Sequence, residues 1–88
     1  MGVGLHPPPF VIFEPMRWNY RIMTLDGGKT FEIHEVYYTS GGKLSSYTEN
    51  AISPTGDSIT ELMGDLTYMM EAFNKPILTP QDFPGFDK

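Results

Sequence analysis

The chain has 88 residues, of which 19% are charged and 40% are hydrophobic, with a formal net charge of −5 and no cysteine. This length is enough for one small domain with a thin hydrophobic core, and the lack of cysteine excludes a disulfide framework and thiolate metal sites. The acidic balance argues against direct nucleic-acid binding, because affinity for phosphates requires clustered Lys and Arg.

The first fifteen residues differ in composition from the rest of the chain. They contain four prolines and one apolar run, residues 10–13, which is too short for a signal sequence or a membrane span. We therefore expect a Pro-rich leader or linker at residues 1–15, a single domain at residues 16–79, a cytoplasmic location and no membrane contact.

Three segments joined by two glycine turns are predicted to be β-strands. They show alternation of polar and apolar residues or are rich in β-branched and aromatic residues. They are residues 18–25, 31–39 and 44–49. The repeated Gly-Gly-Lys at 27–29 and 41–43 supplies the positive φ angles that tight hairpins need. In the second strand Ile33 and Val36 differ in parity, so they cannot share one face of a sheet without a bulge.

The strongest periodic signal in the chain predicts a helix over residues 57–74. Ser58 and Glu61 have the spacing of a capping box, and Asn74 could end the helix in a left-handed cap. Seven residues form one apolar stripe that we expect to face the core. They are Ile59, Leu62, Met63, Leu66, Met69, Met70 and Phe73.

This order of elements predicts an α+β fold, a three-stranded antiparallel β-meander with one amphipathic helix packed on one face (β-β-β-α). Residues 76–79 could add a short C-terminal edge strand or cover the core. Residues 80–88 are expected to be a loose tail. The second face of the sheet would then be open, and a homodimer could form through it or through an exposed sheet edge.

The residues with catalytic potential are few. Glu32 and His34 share one face of the predicted central strand, with Glu35 on the other, and two donors do not make a metal site. Gly28, Lys29 and Thr30 lack the upstream glycine and the following helix of a phosphate-binding loop. We expect no enzyme, metal or cofactor, and the alternative is a small enzyme around Glu32, His34 and Glu35.

The solvent side of the predicted helix is acidic. The sequence places three carboxylates there, with Tyr68 among them, and it has no Lys or Arg between Lys43 and Lys75. This is either an ordinary solvated surface or a partner surface in which an aromatic anchor among acids suits a basic protein. The candidate partner-binding residues are Tyr37, Tyr38, Glu61, Asp65, Tyr68 and Glu71.

Several stretches resemble a group of small bacterial proteins of unassigned function, over residues 16–79. They are MRWNYRI at 16–22, IHEVYY at 33–38, YTEN at 47–50, SP at 53–54 and NKPIL at 74–78. More distantly, the β-β-β-α order resembles the N-terminal domain of HicB-like antitoxins. That resemblance implies a module that binds and blocks a small basic RNase toxin.

The leading hypothesis is a non-enzymatic bacterial protein-binding module, antitoxin- or inhibitor-like, that engages a basic protein. The same acidity allows a phage-type anti-CRISPR or nucleic-acid mimic that inhibits a host defence complex. A mimic should present carboxylates spaced like phosphates over one whole face, whereas an antitoxin should present a mixed aromatic and acidic patch.

Overall fold

The structure, a computed structural model, describes residues 17–85, so the predicted leader at residues 1–15 and the domain start at residue 16 lie outside the described part. Within it the chain forms three strands, one α-helix and two short 3₁₀ turns. Strand β1 is Arg17–Met23, β2 is Glu32–Tyr38, β3 is Leu44–Tyr47 and helix α1 is Ile59–Met70; the 3₁₀ turns are Glu71–Asn74 and Pro80–Asp82.

The sheet has the order β1-β2-β3 with both strand pairs antiparallel, so the predicted α+β meander with one helix is confirmed. In the first hairpin turn Gly27 and Gly28 have φ angles of 76° and 97°. The Asp26 carboxylate accepts the backbone N–H groups of Lys29 and Thr30. These bonds, above all those from the backbone and side chain of Thr30, lower the pKa of Asp26 to about 2.

The register of β1 and β2 assigns the side chains to two faces. The helix face carries the β1 residues Trp18, Tyr20 and Ile22 and their β2 partners Tyr37, Glu35 and Ile33. The tail face carries the alternating residues Asn19, Arg21 and Met23 and their β2 partners Val36, His34 and Glu32.

Both faces of this sheet are covered, which removes the parity conflict in β2. Ile33 and Val36 lie on opposite faces in an unbroken register with β1. Each packs in a separate hydrophobic cluster. The irregularity of the sheet lies in β3, where the extra residue Ser45 shifts the register with β2 between Tyr37 and Tyr38.

The C-terminal segment covers the tail face. Leu78 forms a single parallel bridge to Met23, which is all that exists of the predicted edge strand. Phe83 is 6% exposed and packs near Tyr47, with ring centroids 4.8 Å apart. The expectation of a loose tail is therefore wrong for residues 80–85, and the expected open face of the sheet is covered by apolar side chains of this segment.

The start of α1 follows the sequence prediction more closely than its end does. Ser58 Oγ accepts the Glu61 N–H at 3.1 Å, whereas the Glu61 carboxylate accepts the Asp57 N–H, so only half of the predicted capping box forms. Within residues 17–85 no residue other than glycine has a positive φ. The predicted left-handed cap at Asn74 is therefore wrong, and a 3₁₀ turn ends the helical segment.

Candidate interaction surface

Helix α1 turns a side that carries an aspartate toward the sheet. Asp65 is only 8% exposed. The Tyr20 hydroxyl donates to its Oδ1 at 2.7 Å, and the Thr55 backbone N–H donates to its Oδ2 at 3.0 Å. A buried carboxylate is costly unless its oxygens accept hydrogen bonds, so these two donors allow Asp65 to face inward.

The Tyr20 and Asp65 pair also determines how Tyr20 titrates. Burial raises the pKa of the Tyr20 phenol, and the hydrogen bond to Asp65 and the charge of that carboxylate raise it further. Tyr20 therefore keeps its proton and acts as a donor throughout the physiological pH range.

Three aromatic rings fill the space beside this pair. Trp18, Tyr20 and Tyr68 contact one another edge to face, with ring centroids 5.3 to 5.6 Å apart. The Tyr68 hydroxyl also points to the Trp18 carbonyl oxygen at 3.4 Å, and burial raises the pKa of Tyr68. Such edge-to-face contacts stabilise beyond the area they bury, so Tyr68 belongs to the packing between helix and sheet.

A glycine fixes the approach of the chain to the start of α1. A Cβ added at Gly56 would overlap the backbone of Glu61 and Leu62. A residue with a side chain would fit there only if the backbone shifted. Thr55, next to Gly56, donates a hydrogen bond to Asp65. The close approach at Gly56 and the buried Asp65 carboxylate therefore fix together which side of the helix faces the sheet.

In this orientation the covered and exposed sides of the helix differ from the predicted ones. The candidate partner residues Asp65 and Tyr68, which were expected on the solvent side, lie on the covered side, because Tyr20, Thr55 and Trp18 supply their hydrogen-bond partners. Of the four helix candidates, only Glu61 and Glu71 are exposed. The predicted patch of acids around Tyr68 is therefore not assembled.

The two strand candidates are half-buried and lie on opposite faces of the sheet. Tyr37, on the helix face, donates its hydroxyl hydrogen to Glu35, and burial followed by this bond raises the pKa of Tyr37 to about 12. Tyr38, on the tail face, donates to Asn19 and accepts a hydrogen bond from the Arg21 guanidinium. The structure therefore does not bring Tyr37 and Tyr38 together into one surface.

The apolar stripe predicted as core is mostly in solvent. Met69 is buried and Leu62 is half-buried, but five members of the stripe have between 44% and 76% of their surface exposed. We call these five the exposed seam: Ile59, Met63, Leu66, Met70 and Phe73. Together they expose on the order of 500 Å² of mainly apolar surface, as large as the largest patch on a typical monomer. The prediction that the whole stripe forms the core is wrong.

The three residues of the alternative hypothesis, a small enzyme, lie on opposite faces of the sheet. His34 is fully buried on the tail face, where its ring nitrogens contact the Glu32 carboxylate at 2.8 Å and the Thr48 carbonyl oxygen at 2.9 Å. Glu35 lies on the helix face and accepts from Tyr37. The structure therefore does not place Glu32, His34 and Glu35 around one point.

Across residues 17–85 no group of three or more His, Asp or Glu side chains is arranged to hold a metal ion. In the same part of the chain no helix has the length and apolar character needed to cross a bilayer.

Comparisons of the chain with protein-family models, with curated proteins and with solved structures returned no match. The resemblance to HicB-like antitoxins stays an expectation from element order and size. The candidate site is thus defined by the structure of this chain alone.

Sequence reasoning missed the exposed seam because it assumed that every apolar residue of the stripe points inward. The members of the seam follow each other at intervals of four, three, four and three residues, which is a heptad spacing. Ile59, Leu62, Leu66, Met69 and Phe73 have the same kind of spacing. Periodicity alone therefore does not separate the seam from the covered residues Leu62 and Met69.

Proposed function

We propose that this chain is a non-enzymatic protein-binding module whose contact surface is the exposed seam of α1. The observation that supports it is the solvent exposure of five large apolar side chains in one continuous row. A patch of this size equals the largest apolar patch of a typical soluble domain, and such patches are often functional. Burial of the row would remove that apolar surface from water without any change in the fold.

The residue types of the seam suit a protein partner. Two of its five members are methionine, whose flexible side chain adapts to different surfaces. Phe73 at its end offers the aromatic anchor that well-packed interfaces favour. A helix that presents such a row can pack on another helix or lie in a groove of its partner.

A second candidate is the antitoxin- or inhibitor-like binding of a basic protein through the acidic surface. The carboxylates of Glu49, Asp57 and Glu71 are exposed, and within residues 17–85 no Lys or Arg lies within ion-pairing distance of a carboxylate. Exposed acids without neighbouring cations attract a basic partner and speed its association at low salt. In this case Glu71 and Glu61 would contact the partner, and the seam would not.

Site-specific photo-cross-linking in cells that produce the chain naturally tests the two candidates side by side. A photoreactive phenylalanine analogue replaces Phe73 on the seam in one variant and Glu71, two residues away and off the seam, in the other. We expect a protein adduct from position 73 that an excess of the wild-type chain competes away. A Met63→Glu, Met70→Glu chain should not compete.

The pattern of adducts decides between the candidates. An adduct with a basic protein at position 71 that disappears at high salt supports the acidic surface. Equal yields from positions 73 and 71, or no adduct at position 73, would contradict the proposal that the seam is the contact surface.

A further inference from the structure

The spacing of the exposed seam is that of a helix that pairs with another helix. Ile59 and Leu66 are seven residues apart in α1, and so are Met63 and Met70; Phe73 extends the first series into the 3₁₀ turn that follows α1. Two series offset by three and four residues form the a and d positions of a heptad repeat, whose side chains interlock with those of a facing helix. The seam therefore fits another helix better than it fits a flat surface.

The residues beside the seam carry no charge. On its solvent side lie Thr60, Thr67 and Asn74, and on its sheet side lie Leu62 and Met69. When two identical helices pair, acidic side chains at these flanking positions would lie near acidic side chains of the partner and repel them. The neutral flanks of the seam avoid that repulsion, so they are compatible with pairing of two identical helices.

The acids of the helical segment lie elsewhere. Glu61 and Glu71 occupy heptad positions that point away from the seam, and Asp65 is buried against the sheet. A basic partner on the seam would be expected to find acids along its edges. Charge therefore favours a neutral, apolar occupant of the seam over a basic one.

The area of the seam is sufficient for a weak but specific pair. Two copies that face each other would bury about 1,000 Å² in total, the lower limit for a specific protein interface. Interfaces at this limit are reversible, and we expect a dissociation constant on the order of 10 µM.

We propose that a second copy of this chain covers the exposed seam, so that two α1 helices pack against each other around a two-fold axis and both sheets face outward. The inference rests on the proposed binding function of the seam and names its partner. A two-fold pair uses the same patch on both chains, so each seam is fully covered and the assembly closes at two copies.

Sedimentation equilibrium of the full 88-residue chain tests this pairing. From about 1 to about 500 µM the mean mass should rise from one chain toward two. Added salt should favour the dimer, because it screens the repulsion between two chains of charge −5.

A pair of adjacent substitutions locates the interface. Met63→Glu adds one negative charge on the seam, and Gly64→Glu adds the same charge at an exposed position beside it, where an added Cβ meets nothing within 4 Å. Met63→Glu should weaken the dimer at least tenfold, since the charge enters the interface from both chains. Gly64→Glu should leave it within twofold of wild type.

A cysteine variant gives an independent readout, because the chain has no cysteine of its own. Leu66 is the central member of the seam, so Leu66→Cys should place two thiols near the two-fold axis and form a disulfide-linked dimer on mild oxidation. Gly64→Cys should not. This result does not depend on whether Met63→Glu folds.

Four outcomes overturn the pairing. They are a chain that remains monomeric at about 500 µM, a dimer that both glutamate variants weaken equally, a dimer that neither weakens, and equal disulfide yields at positions 66 and 64. In the first case a protein adduct at position 73 would leave the binding function intact while refuting self-pairing. A monomer without any adduct at that position would refute both.

Discussion

The two sides of the helical segment 59–74, which consists of α1 and the 3₁₀ turn after it, reverse the usual distribution of polar and apolar residues. The covered side contains a buried aspartate, a methionine and a small alanine, Asp65, Met69 and Ala72. The solvent side presents the five large apolar residues of the exposed seam. The difference teaches that hydrogen bonds and close approach, rather than apolar area alone, select which side of this helix faces the sheet.

Each covered residue contributes in a different way. Asp65 has two donors, Met69 packs with Tyr20 and Ile22, and Ala72 is small enough to be fully buried there. The large residues of the seam would not fit so close to β1. The covered side stabilises the fold, and the proposed function assigns partner binding to the exposed side.

The largest expected effect compares two neighbouring residues of one type. Met69 is 2% exposed and Met70 is 62% exposed. Met69→Ala should lower the free energy of unfolding by about 2–5 kcal/mol through lost burial and a cavity. Met70→Ala should change it by less than about 0.5 kcal/mol.

Urea denaturation at a chain concentration of about 1 µM, below the expected dissociation constant, measures both variants without a contribution from the dimer. Equal losses of unfolding free energy for the two alanine variants would contradict the assignment of a covered and an exposed side to the helix.

A smaller loss is expected when the buried carboxylate loses one donor. Tyr20→Phe keeps the ring but removes the hydroxyl that bonds Asp65. The variant should be less stable by about 1–3 kcal/mol, because Asp65 keeps only the Thr55 N–H. A variant as stable as wild type would show that the pair does not hold the helix in its orientation.

The same pair predicts a dependence of stability on alkaline pH. The pKa of Tyr20 is raised in the folded state by burial and by Asp65, so the folded chain holds the phenolic proton more tightly than the unfolded chain. This stabilisation is fully present below about pH 10, the ordinary pKa of tyrosine, and is lost as the pH rises above it. Chemical denaturation from pH 8 to about pH 11 should therefore show a smaller decline for Tyr20→Phe than for wild type.

Much of the fold follows from sequence, because each feature that specifies it is local. Glycine turns at Gly27 and Gly42, strand alternation and the Ser58 cap fix the order and limits of the elements. The rotation of α1 depends instead on contacts across the chain. Asp65 is 45 residues from its donor Tyr20, and periodicity contains no information on such a pair.

The candidate site was for this reason only partly predictable. The periodicity identified the apolar residues of the helix, and net charge identified an acidic surface. Periodicity could not separate Met69 from Met70, because both residues fall on one apolar stripe although only Met69 is buried. The sequence predicts Tyr68 as a surface anchor, because its position among acidic residues contains no information on its contacts with Trp18 and Tyr20 in the sheet.

A still smaller effect is expected at the glycine that brings the chain close to the helix. Gly56→Ala should lower the free energy of unfolding by about 1–2 kcal/mol, because the new Cβ overlaps the backbone of Glu61 and Leu62. Gly64→Ala is the matched control. It should raise stability by up to about 1 kcal/mol, since Gly64 is helical and an added Cβ meets nothing.

Thermal or urea denaturation of the two alanine variants gives the sign of each change directly. A Gly56→Ala chain that is more stable than wild type would show that the start of α1 is not fixed by this close approach. The rotation of the helix would then depend on Asp65 alone.

Methionine oxidation tests the orientation of α1, and with it the exposed seam, most directly. The chain is treated with dilute hydrogen peroxide at about 1 µM, below the expected dissociation constant, and the rate at each methionine is read by mass spectrometry. Met63 and Met70 should oxidise rapidly, and Met69 and Met23 slowly, because only the first two are exposed. At about 500 µM the dimer should slow Met63 and Met70 several-fold. Rapid oxidation of Met69 with protection of Met63 and Met70 at about 1 µM would contradict the orientation of the helix and the exposed seam.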